Sequence, residues 1–355
     1  MIFTTVVMLP LTIDHSLFTQ NMPLFDFHKT ISQSTDAIKS LSAFNPLTIR
    51  KKGTKAKAIF ALALVCFFWG TTWLASKEGV RHMPALQMAG IRQLIGGSCY
   101  VIFFLSKGAG LPKGKEWIPI LILSFLNFML SNGLSTWGVK YISAGLGSII
   151  GAIFPLWLVV IGLFSSKGKI PMRALIGLLL GFGGVCIIFY EHLQDFFIAD
   201  FRLGIFLSLA ATWTWAFGTL YTKKQAANFN PYFSLGLQMV ISGIAVFSIS
   251  SVSKSFIPIL EIPWQSWAAI GYLVIFGSII AFIAYLYALQ ILPTEQASVY
   301  AYVNPIVAVV LGSIIFDEKL TIFIAIGGAV TLIGVYLVNK AYRITTPEQP
   351  ETEGI

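Results

Sequence analysis

Residues 57 to 340 form an almost unbroken succession of apolar segments, separated only by short polar, glycine- or proline-marked breaks. A helix rises about 1.5 Å per residue and the hydrocarbon core of a bilayer is about 30 Å thick, so one crossing takes about 20 residues. The region therefore holds about ten spans with short loops. We place them at 57–77, 84–105, 117–139, 144–165, 172–190, 202–223, 231–252, 264–289, 294–316 and 320–340. Runs such as LIGLLLGFGGVCIIFY lack the every-second-residue alternation of barrel strands, so the spans are helices. Composition agrees: 11% of the residues are charged, against about 25% in an average soluble domain. So few charges cannot cover a water-facing surface, which excludes a soluble enzyme. The partner they imply is the lipid bilayer.

The net charge of +9 is a topological signal and not a nucleic-acid footprint, because no basic face exists among the aromatic-rich apolar segments. If the segment before the first span is cytoplasmic, that side collects Arg50, Lys51, Lys52, Lys55, Lys57, Lys107, Lys113, Lys115, Lys167, Lys169, Arg173, Lys223, Lys224, Lys340 and Arg343. The other side holds Lys77, Arg81, Lys140, Arg202, Lys254 and Lys319. The bias places both termini in the cytoplasm, as expected for a bacterial inner-membrane protein. Residues 1–56 read as a flexible leader. MIFTTVVMLPLTI is too short to span and is followed at once by Asp14 and His15, with no positive region and no cleavage site. Met8 and Met22 are alternative starts. Residues 341–355, ending TTPEQPETEGI, read as a disordered tail.

The chain repeats itself. At a shift of 150, Ser148 pairs with Ser298, Pro155 with Pro305, Gly162 with Gly312, Lys169 with Lys319, Gly177 with Gly327 and Gly184 with Gly334. At a shift of 146, Trp69 to Leu74 and Lys77 match Trp215 to Leu220 and Lys223. Each half, 57–190 and 202–340, holds five spans. Because five is odd, the second half must enter the membrane from the opposite side. The expected fold is an all-α membrane protein of ten transmembrane helices in two inverted five-helix repeats. Two such units have two equivalent arrangements, which suits alternating access; a receptor or a membrane enzyme has no need of that symmetry.

PTEQASVYAYVNPIVAVVLGSIIFDEKLTIFIAIGGAVTLIGVYLV in the second half resembles the end of an EamA domain of the drug/metabolite transporter superfamily. LVCFFWGTTWLASKEG and MAGIRQLIGG in the first half resemble that family's first span and its arginine-bearing second span. The resemblance covers about residues 57 to 340 and implies secondary transport, often export, of small organic metabolites or drugs. One position departs: the family's acidic residue after the ninth span is Glu318, but its counterpart after the fourth is Gly168.

Pro155 and Pro305 lie near the middle of the fourth and ninth spans. Each lacks an N–H and frees a carbonyl four residues back, at Gly151 and Ala301. In lipid those groups must face protein or a water-filled cavity, and matched interruptions point to a transporter's binding site. They also read as kinks that set shape alone. Arg92 is the only charge well inside a span, so it either attracts a solute carboxylate, fixes a gate, or is tied to carbonyls or Glu78 for packing. Trp69, Trp73, Asn132, Trp137, Trp215, Tyr285, Tyr300 and Asn304 lie within spans, where an indole or amide needs a partner. With Arg92, Pro155 and Pro305 they make the expected substrate cavity, one suited to a medium-sized, partly apolar solute. Trp117, Trp264 and Trp267 fit interfacial anchors.

The glycines of the fifth and tenth spans read as close helix packing. Cys66, Cys99 and Cys186 lie unpaired in apolar segments, as small buried or lipid-facing residues. His82 and His192 fall in loops and read as solvated. No phosphate loop, HExxH or GxSxG occurs, so no cofactor or metal is implied and the chain does not hydrolyse ATP. Only Glu78 and Glu295 come near the membrane interior, so exchange and proton antiport stand equally open. The competing function is a multi-span scaffold or sensor without transport. The small-molecule substrate is unnamed by the sequence, and a monomer suffices for the expected architecture.

Overall fold

A computed structural model describes residues 55–165, 171–225, 230–253, 255–292 and 300–344. The leader and most of the tail lie outside these residues. The helices are α1 (Lys55–His82), α2 (Ala85–Ser106), α3 (Gly114–Gly138), α4 (Ala144–Ala152 and Phe154–Ser165) and α5 (Met172–Glu191). They continue with α6 (Ala199–Gln225), α7 (Pro231–Ser251), α8 (Trp264–Ala288, running on to Ile291), α9 (Tyr300–Phe316) and α10 (Ile322–Ile344). Among the described residues, seven helices are long and apolar enough to cross a membrane, and shorter apolar stretches lie in α4, α9 and α10. The first part of the expected ninth span, 294–299, lies outside the described residues.

Local chemistry sets the helix starts. Pro84, Pro171 and Pro263 immediately precede α2, α5 and α8, and Pro231 opens α7, where a missing N–H leaves no intrahelical bond unmade. Ser143 caps α4 by accepting from the Leu146 N–H, 3.0 Å. Large apolar side chains point outward: Leu179 and Phe206 are each 67% exposed and Ile314 is 70% exposed, a surface that only lipid accommodates.

Two helix pairs pack more closely than any others. α5 lies on α10 and α2 lies on α7 along glycine faces. A Cβ built on Gly177 would stand 2.7 Å from the Gly334 carbonyl oxygen, and one on Gly184 would stand 2.5 Å from that of Gly327. On the other pair, a Cβ at Gly97 would meet the Gly236 oxygen at 2.8 Å, and one at Gly243 the Gly90 oxygen at 3.1 Å. Nothing larger than hydrogen fits, which is how membrane helices gain contact without a hydrophobic drive between them. The pairing is crosswise: Gly177 corresponds to Gly327 but touches Gly334, and Gly184 corresponds to Gly334 but touches Gly327. Gly90 and Gly97 behave likewise toward Gly236 and Gly243, their counterparts at a shift of 146.

Three local features depart from straight spans. α4 breaks at Ile153, two residues before Pro155, whereas α9 continues through Pro305. α3 and α8 each contain a π-helical stretch, Ser124–Asn132 and Leu273–Ile280, at corresponding positions in the two halves. Such turns widen the backbone and leave carbonyls for other partners, and they are frequent at functional sites. Hydropathy cannot register them.

Candidate functional site: a cavity between the halves

A cavity of about 210 Å³ is bounded by α1, α2, α3 and α4 from the first half and by α6, α8 and α9 from the second. Of the residues singled out in the sequence, Trp69, Trp73, Arg92, Asn132, Trp215, Tyr300, Asn304 and Pro305 line it. Gly151 and Ala301, whose carbonyls the prolines leave without the usual donor, are on the wall together.

The walls differ in how firmly they are held. The Trp69 indole N–H donates to the Gly277 carbonyl in the π stretch of α8, 3.2 Å. Its ring meets Phe282, Tyr285 and Tyr300 at centroid distances of 5.1, 5.0 and 5.1 Å. Trp73 lies against Gly147 and Gly151, where a Cβ would come within 3.0 and 2.8 Å of its ring. In the amide orientation that satisfies its neighbours, Asn304 donates to the Cys66 carbonyl at 2.8 Å and to the Tyr300 carbonyl at 3.0 Å. It thereby ties α9 to α1. Asn132 accepts from Gln93, 3.2 Å, and Gln93 also donates to the Phe128 carbonyl in the π stretch of α3, 3.1 Å. Trp215, by contrast, makes no indole hydrogen bond to any described residue.

Arg92 is 8% exposed, and its Nε donates to Ser278 Oγ, 3.3 Å. The pairing with Glu78 raised as one reading of the sequence does not form. Glu78 sits a helix turn from Arg81 and His82 and is taken by both, each at 3.0 Å. His82 and His192, read as solvated, each hold a carboxylate instead, His192 with Asp195 at 2.6 Å. Of the cysteines, Cys66 is buried and Cys99 and Cys186 are exposed on apolar helices.

Trp137, Pro155 and Tyr285 were expected on the cavity wall and are not among its lining residues. Tyr285 stands behind the wall, its ring 5.3 Å from that of Tyr300 and 5.0 Å from that of Trp69, to which it is tilted. Trp137 packs against the cluster of Val80, Met83 and Met88. Pro155 is buried, and its kink presents Phe154 and Gly151 in its place. The sequence reading missed a set of hydroxyls and one amide: Thr72, Ser76, Asn127, Ser131, Ser135, Thr136, Ser148, Ser208 and Thr212 also line the cavity. Their signal was available, since Ser131 and Ser135 share a helix face at i, i+4, as do Ser208 and Thr212.

Two stretches of the chain, residues 56–190 and 202–340, match the EamA-like transporter family. The chain belongs to that family. Several of its relatives are named as transporters. A Bacillus subtilis (strain 168) protein named "Uncharacterized transporter YvbV" is 30% identical over 81% of this chain and 93% of its own length. The Escherichia coli (strain K12) "Uncharacterized inner membrane transporter YedA" is 28% identical over 79% of this chain and 89% of its own. A WAT1-related chloroplastic protein of Arabidopsis thaliana is 28% identical over 77% of this chain and 67% of its own. A solved crystal structure overlays with a TM-score of 0.57 at 16% identity, covering 82% of this chain and 100% of that one, a likeness of fold alone. With its apolar helices, the EamA-family chain is an integral membrane protein.

The acidic residue that links this chain to the EamA family closes one end of the cavity helices. Glu318 accepts from the backbone N–H groups of Ala144 and Gly145, at 2.7 and 3.0 Å, and so caps α4 from beyond the end of α9. Asp317 before it adopts a left-handed backbone, φ 52°, and Gly312 leaves the room that the Glu318 side chain needs. At the same end, Lys77 Nζ of α1 donates to the carbonyls of Val139, Lys140 and Ile142 between α3 and α4, at 2.9, 3.3 and 2.6 Å. Arg81 lies 4.4 Å from the Phe316 ring centroid. α1, α4 and α9 are thus fastened together at this end. The counterpart Gly168 lies outside the described residues.

Proposed function

We propose that this protein is a secondary transporter that exports small organic metabolites or drugs across a bacterial inner membrane by alternating access. Its ten spans form two inverted five-helix repeats with both termini in the cytoplasm. The observation that carries this reading is the cavity itself. Helices of both halves bound it, and the two residues whose carbonyls the matched prolines release, Gly151 and Ala301, share its wall. The crosswise glycine seams support a two-fold relation between the halves, because an axis relating α2 to α7 and α5 to α10 requires each residue to meet its neighbour's counterpart. In this reading the seams are fixed posts, and the cavity helices tilt between them. The fastening at Lys77 and Glu318 closes the outer end in one of the two states.

The test is solute counterflow in proteoliposomes across amino acids, nucleosides, sugars and amphipathic drugs. Uptake of at least one class above empty vesicles is expected, and a scaffold or sensor gives none. Topology is checked separately on intact cells, with single cysteines in a background lacking Cys66, Cys99 and Cys186. An impermeant maleimide should label cysteines placed at Asp195 and Ser253 but not at Ser166 and Thr346. External labelling at Ser166 sinks the orientation.

A further inference from the structure

We propose that the solute carried in this cavity is a monocarboxylate with an apolar body, its carboxylate held by the terminal nitrogens of Arg92. This rests on the transporter reading above and names its substrate class. Arg92 is the single charged residue among the described residues that line the cavity. It makes no ion pair with any described residue, and among the described residues only its Nε is engaged, with Ser278. That bond fixes the plane of the guanidinium, while Nη2 rests beside Gly277, a position where a Cβ would come within 3.2 Å. A cation buried at this depth without an acid costs several kcal/mol, and a second charge is the strongest relief.

The other half sharpens the assignment. The residue corresponding to Arg92 is Gln238, a neutral amide that donates to Ser234 on its own helix, 2.9 Å. The charge is therefore a one-sided feature of a cavity whose remaining wall is indole, phenyl, amide and hydroxyl. One planar cation matches one carboxylate in a bidentate fork, whereas a phosphate dianion would want further basic partners that the wall does not supply. Trp215 and Phe154 offer the apolar body its surface.

The experiment uses the full chain in detergent and in proteoliposomes. The probes are 3-phenylpropionate, its amide, 3-phenylpropylamine and phenyl phosphate, and a second series of octanoate, octanamide and octylamine. Binding is followed by tryptophan fluorescence and by competition of carboxylate uptake. The wild type should prefer each acid to its amide by about 10-fold or more, the size of one hydrogen-bonded charge pair, and should reject the amines. Arg92→Gln should bring acid and amide to equal affinity while still binding the amide. Arg92→Lys should restore part of the preference, a pattern that a purely structural arginine does not give. If Arg92→Gln fails to fold, the wild-type ranking alone decides. Equal response to acid and amide, preference for amine or phosphate, or silence toward both series overturns the carboxylate. Transport of other solutes with no acid preference overturns it while leaving the transporter reading intact.

Discussion

At the glycine seams, corresponding residues of the two halves do the same work. Gly97 and Gly243 occupy equivalent places, and each lies against a backbone of the other half, as do Gly184 and Gly334. In the cavity between the seams the correspondence is broken. Trp69 has its indole bonded to Gly277 and its ring among three others, whereas its counterpart Trp215 lines the same cavity with no such bond. Arg92 corresponds to the neutral Gln238, and α4 breaks where α9 continues through its proline. Equivalence is kept where two helices need the closest approach and is relaxed around the cavity, where in the proposed reading a solute is told from its neighbours. A symmetric wall could not hold an asymmetric molecule in a single pose.

The largest effect that could break this comparison lies at the seams. Gly184→Leu and Gly97→Leu should each cost about 3 kcal/mol or more, because the new side chain meets backbone and not a movable rotamer. Size-exclusion profiles of the tagged protein should show most of the monodisperse peak lost. Normal peaks for both variants would mean that the seams are looser than the glycine contacts require.

Next come the two tryptophans. Trp69→Ala should lower stability by about 3 kcal/mol, since it removes a hydrogen bond and a packed ring together. Trp215→Ala should cost about 1 kcal/mol or less, yet remove most of the flux in proteoliposomes. Thermal melting and counterflow on the same preparations separate the two. Equal melting losses would erase the distinction between a built-in wall and a solute-facing one.

A smaller effect is expected at the fastened end. Glu318→Gln weakens a charged cap on α4 and should cost about 1 kcal/mol. Because α1, α4 and α9 meet there, a cysteine introduced at Ser148 should also become more reactive toward a maleimide. Unchanged reactivity would leave Glu318 as a cap with no gating part. Smallest of all, Trp264→Ala should shift melting by about 0.5 kcal/mol or less and leave flux intact, because that side chain is 74% exposed at the start of α8.

Much of this protein was legible in its residue pattern. Apolar runs long enough to cross a bilayer dictate helices in lipid, since no other open structure satisfies its own backbone there. The prolines and mid-span indoles pointed to one cavity, because each brings a polar group to a depth where lipid offers no partner. Trp69, Arg92, Trp215 and Asn304 line one cavity, while Pro155 and Trp137 do not. Which faces meet was beyond the sequence, because hydropathy reports depth and not azimuth around a helix. Tertiary packing alone turned Trp137 and Tyr285 away from the cavity and left Arg92 with Ser278, whereas Glu78 meets Arg81 and His82 by helix spacing alone. It also decided the π stretches of α3 and α8, whose freed carbonyls are met by Trp69 and Gln93 from neighbouring helices. A backbone widening of that kind depends on partners distant in the chain, and no local propensity encodes it.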